Sequence, residues 1–126
     1  MEEKVKYEME FPIKVSPSLL YTSTPSGMSE WYADNVNSRG EFFTFIWDGS
    51  EEKAKLLGKK INERIKFRWM VDEGSEYFFE LRIQVDEITK DVSLMITDYA
   101  EEDEVDEGKM LWENMVSELK QILGST

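Results

Sequence analysis

The chain contains no cysteine and no histidine. Without thiols there is no disulfide and no thiolate nucleophile. Without imidazole there is no Ser-His-Asp triad, and without either there is no zinc site of the Cys/His type. Positive charge is scarce as well: 15 Lys+Arg stand against 27 Asp+Glu, a formal net charge of -12. A protein that tracks phosphates needs a positive footprint, so no nucleic acid is expected as a partner. Anionic membrane surfaces are disfavoured on the same ground. Long apolar runs are missing too. The longest, Phe42 to Trp47, falls far short of a bilayer span, and Met1-Glu2-Glu3-Lys4-Val5-Lys6 offers no apolar signal core. A cytoplasmic protein without membrane insertion is the expectation.

What remains is enough for one core. The 126 residues are 40% hydrophobic and 13% aromatic, and nothing reads as a linker, a repeat or a low-complexity segment. One domain over 1–126 is expected.

Val5, Tyr7, Met9, Phe11, Ile13 and Val15 alternate with Lys4, Lys6, Glu8, Glu10, Pro12 and Lys14. This period of two predicts a long strand with one buried face. Pro12 cannot donate to a ladder, which puts that strand at an edge or at a bulge. Ser16-Pro17 then reads as a helix start, Ser16 capping and Pro17 at the first helical position. The helix runs to about Thr22 and is broken by Thr24-Pro25-Ser26-Gly27. A second short helix is predicted over roughly Met28 to Ala33, followed by a turn at Asn37-Ser38-Arg39-Gly40.

A series of hairpins follows. Phe42 to Trp47 reads as a strand closed by Asp48-Gly49, a strong hairpin signal. Glu52 to Lys59 reads as the next, although Ala54, Lys55, Leu56 and Leu57 would also suit a helix. Ile61, Ile65, Phe67, Trp69 and Val71 share one face of the strand after it, and Asp72-Glu73-Gly74-Ser75 turns the chain. Tyr77, Phe79, Leu81, Ile83 and Val85 alternate with Phe78, Glu80, Arg82, Gln84 and Asp86. After a turn at Thr89-Lys90-Asp91, Val92, Leu94 and Ile96 alternate again. From Glu101 to Glu107 every position except Val105 is acidic. This reads as a solvated loop whose Asp106 and Glu107 suit the positive end of a helix. That helix is predicted from about Asp106 to Leu123, with Leu111, Trp112, Met115, Leu119 and Ile122 on one face, widened by Val116 and Leu123.

The order is strand, two short helices, antiparallel strands, then one long helix. Phe11-Pro12-Ile13-Lys14-Val15-Ser16-Pro17-Ser18-Leu19-Leu20-Tyr21 is followed by Thr24 to Asp34, with Trp31-Tyr32 as an aromatic pair. Together these resemble the START and birch-pollen-allergen-like superfamily, also called SRPBCC, and within it the Aha-type branch and short bacterial START-like domain proteins. The resemblance implies an α+β helix-grip fold: a curved antiparallel sheet of about six to seven strands around the C-terminal helix. It also implies a cavity between sheet and helix, which members use for lipids, sterols and other apolar molecules. A few members are cyclases or hydrolases.

Alternation turns Phe45, Trp47, Phe67, Trp69, Phe79, Leu81, Leu94, Trp112 and Met115 inward, either as closed core or as the lining of a pocket. Glu63 shares parity with Ile61 and Ile65, and Asp98 with Leu94 and Ile96. These two are the acidic candidates for such a pocket, with Tyr7 and Tyr77 as inward hydroxyls. Lys53, Lys55, Lys59, Lys60, Arg64, Lys66 and Arg68 cluster on the middle strands, where pairing across the sheet with Glu80 and Asp86 is expected. The leading expectation is a non-enzymatic domain that binds a small hydrophobic molecule or lipid, with no cofactor and no metal. The alternative is an interaction or homodimerisation module of Aha-type co-chaperone kind, using the outward Phe42, Ile46 and Phe78. An enzyme is a third reading, and it would depend on Asp, Glu, Tyr or Arg.

Overall fold

The long alternating runs become the frame of the molecule. A computed structural model describes residues 3–13, 25–60 and 63–123. Its strands are β1 (Lys4–Ile13), β2 (Asn35–Arg39), β3 (Phe42–Trp47), β4 (Ser50–Lys60), β5 (Arg64–Trp69), β6 (Phe79–Val85) and β7 (Val92–Glu101). They form one curved antiparallel sheet in the order β1-β7-β6-β5-β4-β3-β2. Strands β2 to β7 follow one another as a meander, and β1 is added beyond β7. Pro12 therefore lies on an edge strand, opposite Ser93 in an unbroken register. Helix α1 (Pro25–Met28) is a single turn, and α2 (Val105–Leu123) crosses the sheet near β1 and β7. No helix among the described residues is long and apolar enough to cross a membrane.

The two expected early helices fare differently. The first, from Pro17 to about Thr22, lies outside the described residues. The second is corrected. Helix stops at Met28, whose carbonyl accepts from the amides of Trp31, Tyr32 and Ala33 in a tight turn. The chain then enters β2, held by the Asp34 amide on the Ile46 carbonyl at 2.9 Å. Asn37-Ser38-Arg39 is strand rather than turn, because the ladder with Thr44, Phe43 and Phe42 outweighs the turn preference of Asn and Ser. Only Gly40, at φ 62°, carries the reversal.

Asp48 and Gly49 close the β3–β4 hairpin with positive φ values of 49° and 84°, as a primed two-residue turn requires. The helix-prone stretch of β4 is strand because it is paired on both sides, with β3 and β5. The β4–β5 register slips between Leu56 and Gly58, and such a bulge bends and twists a sheet locally.

The core is built from the inward faces. Phe45, Phe67, Phe79, Leu81, Leu94 and Ile96 from the sheet, Met28 from α1, and Val116 and Leu119 from α2 are essentially fully buried. Phe45 touches the rings of Phe43, Phe67, Phe79, Tyr32, Trp47 and Trp69, at centroid distances of 5.1 to 6.3 Å. Val71 departs from its expected inward place and is 90% exposed. The chain leaves β5 after Trp69 into a 3-10 turn (Met70–Asp72), which ends the alternation.

The helix stripe is rotated from the one expected. Trp112, Val116 and Leu119 are buried, whereas Leu111 and Ile122 are largely exposed. At about 100° per residue, Leu111 and Ile122 lie roughly 80–100° round from Trp112, on the flank that also carries Met115. The cross-sheet charge pairing takes another form as well. Lys66 stands opposite Glu80, but its ammonium lies 4.0 Å from the centre of the Phe78 ring. Arg68 Nε donates to the Tyr77 carbonyl at 2.8 Å.

Truncating the centre of the ring cluster should be severe. Phe45→Ala is expected to lose about 3–5 kcal/mol of unfolding free energy, while Val71→Ser stays within about 0.5 kcal/mol. Urea denaturation of both variants checks this. A Phe45→Ala protein as stable as the parent would contradict the packing described.

Candidate functional site

The flank of α2 that carries Leu111 and Met115 roofs an open cleft of about 520 Å³. Its lining brings together Tyr7 of β1, Trp47 of β3, Glu52 of β4, Trp69 of β5 and Asp98 of β7. Tyr32, from the turn after α1, completes the sheet side, and Gly108, Leu111, Trp112, Asn114 and Met115 of α2 supply the other wall. Six of the pocket candidates named from sequence therefore meet at one place: Tyr7, Trp47, Trp69, Asp98, Trp112 and Met115.

Asp98 is the polar centre. Parity with Leu94 and Ile96 turns it inward, opposite Tyr7 in the β1–β7 register. Its Oδ2 accepts from the Tyr7 hydroxyl at 3.2 Å and from Trp112 Nε1 at 2.9 Å. Its Oδ1 accepts from the Tyr99 amide at 2.8 Å. Burial raises the pKa of this carboxyl above the ordinary aspartate value, against the opposing pull of the Trp112, Tyr99 and Tyr7 donors and the more distant Lys4 charge. Desolvation disfavours the charged form, and these neutral donors do not fully compensate.

The phenols respond in the same sense. Burial, then the Asp98 charge, pushes Tyr7 well above the usual tyrosine value. Tyr32 is raised by burial and then by Asp98, Glu52 and Tyr7. Both phenols therefore stay protonated across the physiological range, and Tyr7 donates to Asp98.

Aromatic packing holds the walls. Tyr32 packs against both Trp112 and Phe79, at centroid distances of 5.4 and 5.8 Å with ring planes within 28°, and those two rings lie 6.2 Å from each other. The indole of Trp47 donates to the Tyr32 carbonyl at 2.8 Å, which ties the turn after α1 to the end of β3. Gly108 lets α2 approach β1 closely: a Cβ there would lie 2.5 Å from the Tyr7 hydroxyl oxygen.

The other sequence candidates lie elsewhere. Phe45, Phe67, Phe79, Leu81 and Leu94 are closed core beneath the cleft. Glu63 sits in the β4–β5 turn, outside the cleft, with its carboxylate 2.9 Å from the Lys60 ammonium. That hydrogen bond lowers its pKa. The parity argument fails for Glu63 because β5 begins at Arg64. Tyr77 accepts from the Lys4 amide at 3.1 Å, again outside the cleft. Sequence reasoning missed Glu52 and Asn114 as lining residues, and it read Tyr32 as part of a helix. Gly108 carried a usable signal, since a glycine inside a strongly periodic helix often marks a close approach.

In the acidic run, Glu101, Asp103 and Glu104 place carboxylate oxygens within 4.8 Å of one another. A 3-10 turn (Glu102–Glu104) leads from there into α2, whose first turn carries Asp106 and Glu107, in keeping with the expected helix start.

The approach of Gly108 to Tyr7 predicts a coupling. Gly108→Ala alone should fail to stabilise, because the new methyl displaces the Tyr7 hydroxyl from Asp98. In a Tyr7→Phe background the same change should recover much of the roughly 1 kcal/mol that Ala gains over Gly inside a helix. A double-mutant cycle by urea unfolding reads the difference. Strict additivity would mean that helix and strand are not in contact there.

Comparison with known proteins agrees with this architecture. The solution structure of BfR322 from Bacteroides fragilis is 32% identical over 98% of this chain and 93% of its own, with a TM-score of 0.66. The Aha1 dimer from Colwellia psychrerythraea has a TM-score of 0.74 at 17% identity, over 92% of this chain and 93% of its own. DynU16, a putative protein in the dynemicin biosynthetic locus, has a TM-score of 0.73 at 17% identity, over 98% of this chain and 48% of its own. At 17% identity these last two speak for the fold alone. No curated protein sequence matches the chain. The START-like superfamily domain matches residues 1–125, and the chain belongs to that superfamily.

Proposed function

We propose that this domain binds a small, mainly apolar molecule in the cleft between the sheet and α2. The observation that carries the reading is a cleft with indole walls and a polar centre. Trp47, Trp69 and Trp112 give apolar area, and the Tyr7–Asp98–Trp112 cluster can orient a ligand. Ligand sites are usually concave and apolar with a few convergent polar groups, and about 300–1,000 Å³ in volume. A cleft of about 520 Å³ falls within that range. Superfamily membership supports the ligand class, and the polar groups here supply the orientation. The reading is of a binding module rather than an enzyme.

The alternative, an interaction or dimerisation module, draws on the dimeric Aha1 structure and on Phe42, which is 42% exposed. Phe78 supports it less, because the Lys66 ammonium and the Tyr99 ring, at 5.2 Å, cover it.

Native mass spectrometry of gently purified protein, set against its denatured mass, separates the two. A retained small molecule is expected, and it should be lost from Met115→Trp, whose larger ring fills the cleft. Retention undiminished by Met115→Trp would place the molecule elsewhere. A clean apo dimer would favour the interaction module instead.

A further inference from the structure

The lining of the cleft has one sign of charge. Asp98 and Glu52 both contribute carboxylates, and among the described residues no Lys or Arg lines the cleft. Lys4 is the cation whose field reaches Asp98, but its ammonium is committed to both oxygens of Asp72 at 3.0 Å. The indole walls add potential of the same sign. Trp47 stacks on Phe45 at 5.9 Å, Trp69 on Phe79 at 5.0 Å and Trp112 on Tyr32 at 5.4 Å, each pair within 29° of parallel. These contacts fix the planes of rings whose π faces are electron-rich, and such faces attract an organic cation within about 6 Å.

We propose that the cleft selects an organic cation: an amine or quaternary ammonium group on an apolar body, its head near Asp98 and Glu52 and its body against the indoles. This inference rests on the cleft being the ligand site and adds the sign of the ligand's charge. An anionic amphiphile would instead bring its head group against two carboxylates, with no basic residue among the described lining. A neutral ligand would leave the buried Asp98 charge to its three neutral donors.

The geometry carries a pH signature. The groups facing Asp98 are Tyr7 and Lys4 from β1, Tyr32 from the turn after α1, Trp112 from α2, and Glu52 across the cleft. The phenols are held protonated, and burial raises the Asp98 carboxyl above the ordinary aspartate value. Cation affinity should fall as pH drops through the raised Asp98 value, where that carboxylate gains its proton.

The test uses three probes of one shape: (4-hydroxybenzyl)trimethylammonium, its uncharged carbon isostere 4-neopentylphenol, and 4-hydroxyphenylmethanesulfonate. Each is titrated into the intact protein by calorimetry, with tryptophan fluorescence as a second readout. The cation should bind at least tenfold tighter than the isostere, and the sulfonate most weakly. Glu52→Gln, at an exposed position, should lower cation affinity several-fold and leave the isostere unchanged. Asp98→Asn should lower it further. Equal binding of cation and isostere, both blocked by Met115→Trp, would overturn the charge inference and leave the cleft as a binding site. Binding of neither probe, or binding indifferent to Met115→Trp, would overturn both. A cation preference that survives both carboxylate substitutions would mean general attraction to an acidic protein, and would overturn the inference as well.

Discussion

Trp112 has to bury a large ring and a polar N–H in the same place, and much of the structure follows from how it does so. The indole packs α2 against Tyr32 of the turn after α1 and against Phe79 of β6, but its N–H needs an acceptor once water is gone. Asp98 is that acceptor, at 2.9 Å. The same carboxylate takes the Tyr7 hydroxyl, so the last strand, the first strand and the helix meet at one side chain. Helix and strand can come this close only because residue 108 has no side chain. Indole, acid, phenol and glycine form one unit, and the cleft opens beside it.

The topology explains why this unit sits where it does. β1 and β7 are far apart in sequence and adjacent in the sheet, with Tyr7 opposite Asp98. α2 begins a few residues after β7 ends, so it must cross back over the strands it has just left. Its first turns therefore land above Tyr7 and Asp98. The far wall comes from the other end of the meander. There Trp47 and Trp69 lie at the last positions of β3 and β5, where the ladders end and side chains are only half covered. The core closes under the middle of the helix through Val116 and Leu119 and stays open beside the Leu111–Met115 flank.

The parts that were legible in the sequence are those governed by a simple period. Alternation placed Phe45, Phe67, Phe79, Leu81, Leu94 and Asp98 on the inner face, and a 3.6-residue period placed the long helix. Pro12 marked an edge strand through its missing donor. Legibility ended where tertiary contacts override local preference. Asn37 and Ser38 read as turn formers but pair with Thr44 and Phe43. Parity was carried one residue too far at Glu63 and two too far at Val71, because a period does not say where its strand stops. Tyr32 and Glu52 were not found as site residues, since one is delivered by a turn and the other lies on a strand that looks solvated throughout. The helix stripe was drawn rotated from the buried one: Leu111 is apolar, yet it lies on the flank at the lip of the cleft rather than in the core.

The acid at the centre of the cleft is a burden on folding as well as a feature of the site. Its folded-state pKa is raised above the unfolded value because desolvation outweighs its donors. A group of this kind contributes most to stability below its unfolded pKa, and that contribution is lost as pH rises through the folded value. Wherever Asp98 is ionised, the domain therefore holds that charge at some expense to its own stability. Tyr7, Tyr99 and Trp112 reduce that expense without removing it, since hydrogen bonds to neutral donors compensate a buried charge only in part. An occupant bearing the opposite charge would offset it directly, and binding would then stabilise the fold by mass action. The same side chain that anchors the helix thus has a charged form that its own donors compensate only in part.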